Sequence, residues 1–287
     1  MIDRKLDGPA PRTAMPKGAT DTQMHMYLPG FEMRPDGVGA PADPLPDPAM
    51  YRRVMGWLGL DRVVITQGNA HGDDNASLLA CVAEMGDCAR GVAVIRPDTP
   101  DAEIARLSEG GIVGARIMNL PGGAVGLDDL EAIDAIAADA GWMMAVQFDG
   151  SALPELEPRL AALKSRWVLD HHAKIFDGAT PAHVAVIKRL LDRGNVWFKF
   201  AGCYESSRDG GPDFPDIASV AREIGAHAPE RIVWGTNWPH NAARETADYP
   251  DDAALLDLAM SWLPDEAARV ATLVDSPQQL YGFPPVG

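Results

Sequence analysis

Residues Gly141-Trp142-Met143-Met144-Ala145-Val146-Gln147-Phe148 contain the pattern that decides the fold of this chain. Gly141 lies where a helix is expected to end. The short apolar run that follows it carries one polar side chain, Gln147, near its C-terminal end. The same pattern recurs at a steady spacing, with amphipathic segments between the runs. We predict eight strands, at residues 19–27, 61–67, 91–96, 112–118, 142–148, 166–171, 196–201 and 231–236.

The segments between these runs have the start and stop signals of helices. A capping side chain before a proline predicts three helix starts, at Asp47-Pro48, Thr99-Pro100 and Thr180-Pro181. Glycines predict three helix ends, at Gly110, Gly141 and Gly194. Strands alternating with helices predict an α/β protein with a parallel sheet, and eight such units favour a single (β/α)8 TIM barrel. The alternative is an open doubly wound sheet that binds a nucleotide.

The open sheet would require a glycine-rich phosphate turn after an early strand. The first strand is followed instead by Tyr27-Leu28-Pro29-Gly30 and a proline-rich loop that extends to about residue 47. Because long loops are unusual without a function, we interpret residues 28–47 as a lid or wall over the barrel mouth. A passive surface excursion is the alternative. We predict an N-terminal arm at residues 1–18 and a barrel catalytic domain at residues 19–287.

Composition and charge exclude several classes of partner. The chain has 287 residues, of which 46% are hydrophobic and 23% charged, as is typical of a globular enzyme. With 25 Lys and Arg against 41 Asp and Glu, the formal net charge is −16. Nucleic acids and anionic membranes both require clustered basic residues, so we expect neither as a partner. The oligomeric state stays open.

The cysteines and the N-terminus bear on where the protein is found. Three cysteines with no zinc-site spacing cannot form a complete disulfide framework, which favours a reducing cytoplasm. The sequence also contains no apolar stretch of signal-peptide or membrane-spanning length. We therefore expect a cytoplasmic protein.

In a barrel of this kind the functional residues gather at the carboxyl ends of the strands. Polar side chains end nearly every predicted strand, and stability alone explains such regularity poorly. The candidates in chain order are Gln23, His25, Gln67, Asn69, His71, Arg116, Asn119, Gln147, Asp149, Asp170, His171, Lys199, Tyr204, Asn237 and His240.

Two histidines are the strongest candidates for proton transfer, because imidazole can act as a base near neutral pH. These are His25 and His171, and the alternative for each is a hydrogen-bonded core histidine. On a regular strand His172 points away from His171, so one of the pair faces the barrel interior and the other supports it from behind. His183 and His227 fall in helical segments and are expected at the surface.

Two cations lie within apolar strands, and each must find an anionic partner. Arg116 could bind a substrate carboxylate through its planar fork, or it could form an internal ion pair with Asp149 or Asp170. Lys199 poses the same choice between a substrate contact and a buried ion pair. Asp170 is expected to orient a neighbouring histidine or to accept a salt bridge.

Four segments together resemble the amidohydrolase superfamily, and within it the branch of lactone-processing barrels that includes the pyrone-dicarboxylate lactonases. They are Asp21-Thr22-Gln23-Met24-His25, Asp170-His171-His172, Trp197-Phe198-Lys199-Phe200-Ala201-Gly202 and Gly235-Thr236-Asn237-Trp238-Pro239-His240. The resemblance extends from about residue 18 to residue 283. It implies a TIM barrel with its active site at the carboxyl ends of the strands.

This chain departs from the branch at two positions. Where the branch carries His-x-His and an Asp in its Gly-Ser/Thr-Asp-Trp-Pro-His segment, this chain has Gln23 and Asn237. Both departures remove a metal ligand or the carboxylate that activates water, and a Gln amide is a much poorer zinc ligand than imidazole. We therefore expect no metal and no other cofactor.

A narrower resemblance, to lactone isomerases of this branch, includes the departures as well as the shared motifs. It rests on the segments Gln23-Met24-His25-Met26-Tyr27, Gln67-Gly68-Asn69-Ala70-His71, Ala115-Arg116-Ile117-Met118, Leu120-Pro121-Gly122-Gly123-Ala124-Val125, Val146-Gln147-Phe148-Asp149-Gly150 and Tyr204-Glu205-Ser206-Ser207. The resemblance implies metal-independent interconversion of the 1,5- and 1,4-lactones of galactarate in uronate catabolism. The alternatives are a metal-independent lactonase, a metal-dependent hydrolase and a silent sugar-acid binding protein.

For this reaction, intramolecular acyl transfer on a small anionic sugar-acid lactone, we assign His25 or His171 to proton transfer. Asn237 and Gln23 are assigned as neutral donors to substrate oxygens. The substrate carboxylate is assigned to Arg116, with Lys199 or Arg208 as further cations. The remaining substrate contacts are assigned to Asn69, His71, Gln147, Tyr204 and His240.

Overall fold

The computed structural model describes residues 1–286 and contains one eight-stranded sheet in which all neighbouring strands run parallel. The strand order follows the chain order from β1 to β8. The strands are β1 (Thr20–Met24), β2 (Arg62–Thr66), β3 (Ala89–Ala93), β4 (Ile112–Asn119), β5 (Met143–Phe148), β6 (Arg166–Leu169), β7 (Val196–Phe200) and β8 (Ile232–Trp234). All eight predicted strands are present, and the predicted (β/α)8 barrel is confirmed.

A helix follows each strand, and two more lie near the C-terminus. They are α1 (Pro48–Leu58), α2 (Ala76–Met85), α3 (Asp101–Glu109), α4 (Leu130–Asp139), α5 (Leu153–Ala161), α6 (Pro181–Leu191), α7 (Pro215–His227), α8 (Asp252–Met260), α9 (Glu266–Val270) and α10 (Ser276–Tyr281). The Asp47 side chain caps α1 by accepting from Met50 N at 2.8 Å, as predicted. The predicted start at Thr99 is wrong by one residue, because Pro100 precedes α3 and the Thr99 hydroxyl binds Arg96 N instead.

The predicted surface position of His183 is also wrong. This histidine is 8% exposed and completes the cap of α6, where its Nδ1 accepts from Thr180 N at 3.0 Å. Its Nε2 lies 3.2 Å from the Ser151 carbonyl oxygen of the neighbouring loop. The His183 side chain therefore links the start of α6 to the loop that contains Ser151. His227 is exposed as predicted.

The barrel closes between its first and last strands. His25 N donates to Trp238 O at 2.8 Å, and Asn237 N donates to Gln23 O at the same distance. The buried carboxylate of Asp21 accepts from Gln23 N and from both the backbone and the hydroxyl of Thr236. The closure consequently places Gln23 and Asn237, the two positions that depart from the family pattern, side by side.

The interior of the barrel is apolar at its amino end and polar at its carboxyl end. Side chains alternate between the two faces of a strand, so Ala145 and Gln147 of β5 point inward together, as do Trp197 and Lys199 of β7. The inward apolar set packs as one buried cluster, distinct from the larger core between strands and helices. This cluster forms the floor beneath the polar residues.

The N-terminal arm and the loop at residues 28–47 lie against the barrel. The Arg4 guanidinium donates to carbonyl oxygens of that loop, and Trp57 Nε1 donates to Pro9 O at 2.8 Å. Within the loop, Arg34 N donates to Ala70 O at 2.7 Å, and its guanidinium donates to Gly122 O at 3.0 Å. The loop thus spans the segments that follow β2 and β4.

None of the helices in residues 1–286 has the length and apolar character needed to cross a bilayer.

Candidate active site

Arg116 lies in the middle of a polar group at the carboxyl end of the barrel, and it is 4% exposed. Its guanidinium donates to Gln67 O at 2.8 Å, Asn69 Oδ1 at 3.0 Å and Gln147 Oε1 at 3.0 Å. All three acceptors are neutral oxygens. Among residues 1–286 no carboxylate pairs with Arg116, so the internal ion pair with Asp149 or Asp170 is not formed. Burial lowers the pKa of this guanidinium. The site therefore holds a buried positive charge that an anionic ligand would neutralise.

Lys199 forms a buried ion pair instead. Its Nζ lies 2.7 Å from Asp170 Oδ1, and the two side chains are 1% and 0% exposed. Burial works against both charges, but each partner favours the charged form of the other, so the pKa of Asp170 is lowered and that of Lys199 is raised. This pair is the second of the two alternatives considered for Lys199.

Lys199 also fixes the orientation of Gln23. The ammonium donates to Gln23 Oε1 at 2.9 Å, and the Thr66 hydroxyl donates to the same oxygen at 3.3 Å. With its oxygen occupied by two donors, the Gln23 amide turns its Nε2 the other way. That nitrogen is buried and has no partner among residues 1–286. Since an unpaired buried donor is costly, Gln23 Nε2 is a candidate donor to a ligand oxygen.

Both candidate histidines are neutral at physiological pH. Burial, followed by the positive charge of Arg116, lowers the pKa of His25 to about 3. Burial also lowers the pKa of His171 to about 4, although Asp170 and Glu205 act in the opposite direction. His25 Nδ1 lies 2.8 Å from the Thr66 carbonyl oxygen, so the proton belongs on Nδ1 and the lone pair on Nε2. Such weak bases suit hydrogen bonding better than proton abstraction.

The prediction for the His171-His172 pair assumed a regular strand, and that assumption is wrong. Strand β6 ends at Leu169, and four consecutive residues, 171–174, adopt positive φ angles between 47° and 64°. His171 lies near Glu205, with Nδ1 at 3.6 Å from Oε2. His172 packs behind the site, stacked on Phe200 with ring centroids 5.2 Å apart. The two histidines therefore do point to different sides, but through a turn.

Tyr204 and His240 form a pair joined by a hydrogen bond. Tyr204 Oη lies 2.6 Å from His240 Nδ1, and His240 Nε2 lies 3.0 Å from Asp252 Oδ1. Both nitrogens of His240 are therefore bound within the protein, and the residue is 1% exposed. The structure places His240 behind Tyr204, a residue that is partly exposed. Burial and the charge of Glu205 raise the pKa of the Tyr204 hydroxyl well above its usual value.

Asn237 uses both hydrogens of its amide nitrogen within the protein. Nδ2 donates to Tyr204 Oη and to Glu205 Oε1, each at 3.0 Å. Glu205 also pairs with Lys174, and although burial opposes ionisation, His171 and Lys174 lower the pKa of this carboxyl to about 2. Asn237 is consequently a donor to two protein acceptors, and its assignment as a donor to substrate stays a prediction without a free hydrogen to support it.

The remaining candidates differ in how near they lie to this group. Asn69 binds Arg116, while His71 Nδ1 lies 2.8 Å from Glu32 O of the loop at residues 28–47. His71 Nε2 is buried without a partner among residues 1–286. Arg208 is exposed, and its guanidinium donates to Asp177 O at 2.7 Å. Among residues 1–286, Arg208 therefore shares no hydrogen-bond partner with Arg116.

Two acidic residues of the site were not identified from the sequence. Glu205 directly follows Tyr204 in the segment after β7, so the rule for strand ends could have found it. Asp252 lies in the first turn of α8, where an acidic residue is typical of a helix start, and no local signal separates it from Asp251, which caps that helix.

The donor set does not suit a divalent metal ion. In residues 1–286 no three His, Cys, Asp or Glu side chains come together as ligands. The oxygen of Gln23 is occupied by an ammonium, and the amide nitrogen of Asn237 points its hydrogens at acceptors. A cation beside Lys199 would also face an ammonium whose charge already balances Asp170.

Comparisons with known proteins agree with this architecture. The chain is similar to the D-galactarolactone isomerase of Agrobacterium fabrum, with 57% identity over 285 residues that cover 99% of this chain and 97% of that protein. A crystal structure of an Agrobacterium tumefaciens protein in its apo form matches with a TM-score of 0.96 and 57% identity, covering 99% of this chain and 100% of that chain. The 2-pyrone-4,6-dicarboxylate hydrolase of Comamonas testosteroni is 30% identical over 287 residues, covering 94% and 92%.

The amidohydrolase family matches residues 20–283, which include every strand of the barrel and the whole polar group at its carboxyl end. The resemblance inferred from the motifs is thereby confirmed. This chain belongs to the amidohydrolase family.

Proposed function

We propose that this protein interconverts D-galactaro-1,5-lactone and D-galactaro-1,4-lactone by intramolecular acyl transfer, without a divalent metal. The relative that is 57% identical to this chain is named D-galactarolactone isomerase. One observation favours isomerisation over hydrolysis: position 237 is an amide that donates both hydrogens to protein acceptors. A carboxylate at that position could accept a proton from water, whereas an amide cannot.

The reaction joins the 4-hydroxyl oxygen of the sugar acid to C1 and releases the 5-oxygen through a tetrahedral intermediate. It requires a proton acceptor, a proton donor and a donor to the oxyanion, and it uses no activated water. Because the nucleophile belongs to the substrate itself, correct orientation alone can supply up to about 7–11 kcal/mol of the barrier. A binding site that holds the lactone in one pose therefore does much of the catalysis.

In this proposal Arg116 binds the substrate carboxylate, because it is buried and pairs with no carboxylate among residues 1–286. Gln23 Nε2, which is buried and unpaired, donates to the oxyanion. The neutral rings of His25 and His171 bind substrate oxygens at the same end of the barrel. Their low pKa values count against either ring as the sole proton acceptor.

The ligand is accordingly a small anion within a protein of net charge −16, so the attraction is local to Arg116. A cytoplasmic location belongs to the same proposal, and Cys81, Cys88 and Cys203 are free thiols.

The test supplies D-galactaro-1,5-lactone to the enzyme with excess EDTA and follows the products by NMR. We expect the 1,4-lactone to appear faster than in buffer alone and faster than with heat-denatured enzyme. Direct production of the open diacid would identify a lactonase and contradict the proposal. Loss of turnover with EDTA, restored by added metal, would contradict metal independence. Binding of the lactone by calorimetry without turnover would indicate a silent binding protein.

A further inference from the structure

A continuous chain of hydrogen bonds leads from the site into the protein interior. It begins at Tyr204 Oη, passes through both nitrogens of His240 and ends at Asp252, over distances of 2.6 and 3.0 Å. Only Tyr204 is partly exposed, since His240 is 1% and Asp252 0% exposed. A hydrogen-bonded chain with one partly exposed residue at its end can pass a proton between the site and a buried pair.

The direction of each hydrogen bond follows from the acceptor at the far end. A carboxylate only accepts, so Asp252 requires the proton of His240 on Nε2. The neutral ring then carries its lone pair on Nδ1, where it accepts the hydrogen of Tyr204. Asp252 Oδ1 is bound by His240, and Asp252 Oδ2 has no hydrogen-bond partner among residues 1–286, which leaves His240 as the residue that balances this carboxylate. The Asp252 carboxylate is therefore placed to stabilise an imidazolium.

Within residues 1–286, the Tyr204 oxygen is left with one free lone pair. Its hydrogen goes to His240, and one of its two lone pairs accepts from Asn237 Nδ2 at 3.0 Å. The remaining lone pair can accept one further hydrogen, such as that of a substrate hydroxyl. Since Asn237 donates to this oxygen, it also stabilises negative charge there.

The other bases of the site are less suitable. Glu205 Oε1 and Oε2 are bound by Asn237 and Lys174, and the carboxyl has a pKa of about 2. His25 and His171 are also weak bases, with pKa values of about 3 and 4. In contrast, the hydrogen-bond chain from Tyr204 ends at the Asp252 carboxylate. This carboxylate stabilises the positive charge that the His240 ring acquires when it accepts a proton.

We propose that Tyr204 is the catalytic residue that moves the proton, and that His240 and Asp252 act through it as a relay. This inference rests on the proposed lactone isomerisation and assigns its acid and base, replacing His25 or His171 in that role. The arrangement resembles a triad of hydroxyl, histidine and aspartate, except that the hydroxyl transfers a proton and does not attack the carbonyl carbon. The substrate supplies its own nucleophile.

The proton balance closes within the substrate and the relay. As the bond between O4 and C1 forms, the O4 proton passes to Tyr204 Oη and the Tyr204 proton passes to His240 Nδ1. The carbonyl electron pair moves onto oxygen. When this pair returns, the bond between C1 and O5 breaks, Tyr204 gives a proton to O5 and His240 returns its proton to Tyr204. The enzyme regains its starting state without a co-reactant.

The test compares Tyr204→Phe, His240→Gln and Asp252→Asn with the matched control Tyr249→Phe in the full-length enzyme. The Tyr249 ring packs against His240 with centroids 4.9 Å apart, but its hydroxyl takes no part in the relay. Each variant is assayed by NMR for conversion of the 1,5-lactone, with kcat and KM measured separately. Folding is checked by circular dichroism and thermal unfolding, and lactone binding by calorimetry.

We expect Tyr204→Phe to lower kcat by about 100-fold or more while KM stays within about threefold. His240→Gln can still hydrogen-bond both neighbours but cannot become an imidazolium, so we expect kcat to fall by about 10-fold or more. Asp252→Asn should act in the same direction. Tyr249→Phe should retain kcat within about twofold of the parent enzyme, as a residue outside the relay.

Two results would overturn the relay. A folded Tyr204→Phe variant with kcat within about threefold of the parent enzyme would remove Tyr204 from proton transfer. A His240→Gln variant with unchanged kcat would show that His240 only positions the tyrosine. If the parent enzyme itself forms no 1,4-lactone, the proposed function is wrong and the relay is wrong with it. If the parent and the variants are all active, the proposed function stands and only the relay is wrong.

Discussion

Asn237 has two neighbours that both require a hydrogen-bond donor, the hydroxyl oxygen of Tyr204 and the carboxylate of Glu205. An aspartate at this position would donate to neither and would bring a second negative charge beside Glu205. Like charges in a buried site disfavour each other strongly. The amide is therefore part of how this site is built, beyond the absence of a carboxylate.

We predict that Asn237→Asp lowers kcat/KM for isomerisation by about 100-fold, equivalent to about 2.7 kcal/mol of transition-state stabilisation. The measurement is the NMR assay with the 1,5-lactone. Asn241→Asp is the matched control, since the Asn241 amide donates to Tyr27 Oη at 3.0 Å, outside the proposed machinery. Equal losses in the two variants would contradict a specific role for the amide at position 237.

Arg116 leads to a second prediction at the scale of a residue. Arg116→Ala should lower kcat/KM for the lactone by about 10- to 100-fold or more, because a charge-assisted hydrogen bond contributes about 1.5–3 kcal/mol. Arg116→Lys should not restore activity, since an ammonium cannot reproduce the planar fork that reaches Asn69 and Gln147.

Steady-state kinetics check this, with Arg106→Ala as the control. Arg106 lies on the exposed side of α3, where it pairs with Glu103. An unchanged kcat/KM for Arg116→Ala would eliminate the carboxylate clamp.

The segment after β6 is the element whose backbone determines the site. Residues His171, His172, Ala173 and Lys174 all have positive φ, a conformation that costs side-chain-bearing residues about 1–3 kcal/mol each. The segment is supported from below by the loop after β5, where Gly150 packs against Ala173. A Cβ on Gly150 would lie 2.0 Å from the Ala173 carbonyl oxygen. The turn that presents His171 thus depends on a glycine in another loop.

We predict that Gly150→Ala destabilises the protein by about 3 kcal/mol and also lowers isomerase activity, because the Ala173 carbonyl must move and His171 with it. The control is Gly56→Ala in the last turn of α1, where a Cβ would meet no atom within 4 Å. That change should stabilise the protein by about 0.5–1 kcal/mol. Urea unfolding gives both values, and equal stabilities for the two variants would refute the packing argument.

At the scale of the whole molecule, three buried histidines link stability to pH. Burial lowers the pKa of His25 to about 3, of His171 to about 4 and of His172 to about 3. A histidine whose pKa is lowered by folding stabilises the protein above pH 6.5, and this contribution is lost as pH falls toward the folded value. Asp21, whose pKa burial raises to about 6, acts in the opposite direction between pH 6 and about 4.

We therefore expect the free energy of unfolding to fall as pH drops from about 6.5 to 4. Each of the three histidines contributes a loss of about 3 kcal/mol by pH 4, at about 1.4 kcal/mol per pKa unit, against about 3 kcal/mol regained from Asp21. Urea unfolding at pH 7, 6 and 5 tests this. In His172→Leu, unfolding should take up about one proton fewer, so the free energy of unfolding should depend less steeply on pH. The same pH dependence in the variant and the parent protein would contradict the assignment to His172.

The sequence alone determined the barrel, because strand and helix periods, caps and stops are local properties of the chain. Eight apolar runs, nearly all of which end in polar residues, predicted both the architecture and the end at which the polar groups meet. The same reasoning placed Gln23 and Asn237 in the site, since the residue type at the end of a strand is visible without coordinates. Lactone chemistry followed from those two positions together with the family motifs.

Only the tertiary structure decided which charges pair and which stay available. From the sequence, Arg116 and Lys199 posed one and the same choice, yet Lys199 binds Asp170 while Arg116 has only neutral acceptors in residues 1–286. Nor could local patterns connect Asp252 to Tyr204, since their link through His240 exists only when three separate segments meet. Pairing energies depend on distances of a few ångströms between residues far apart in the chain, and those distances are set by the closed barrel.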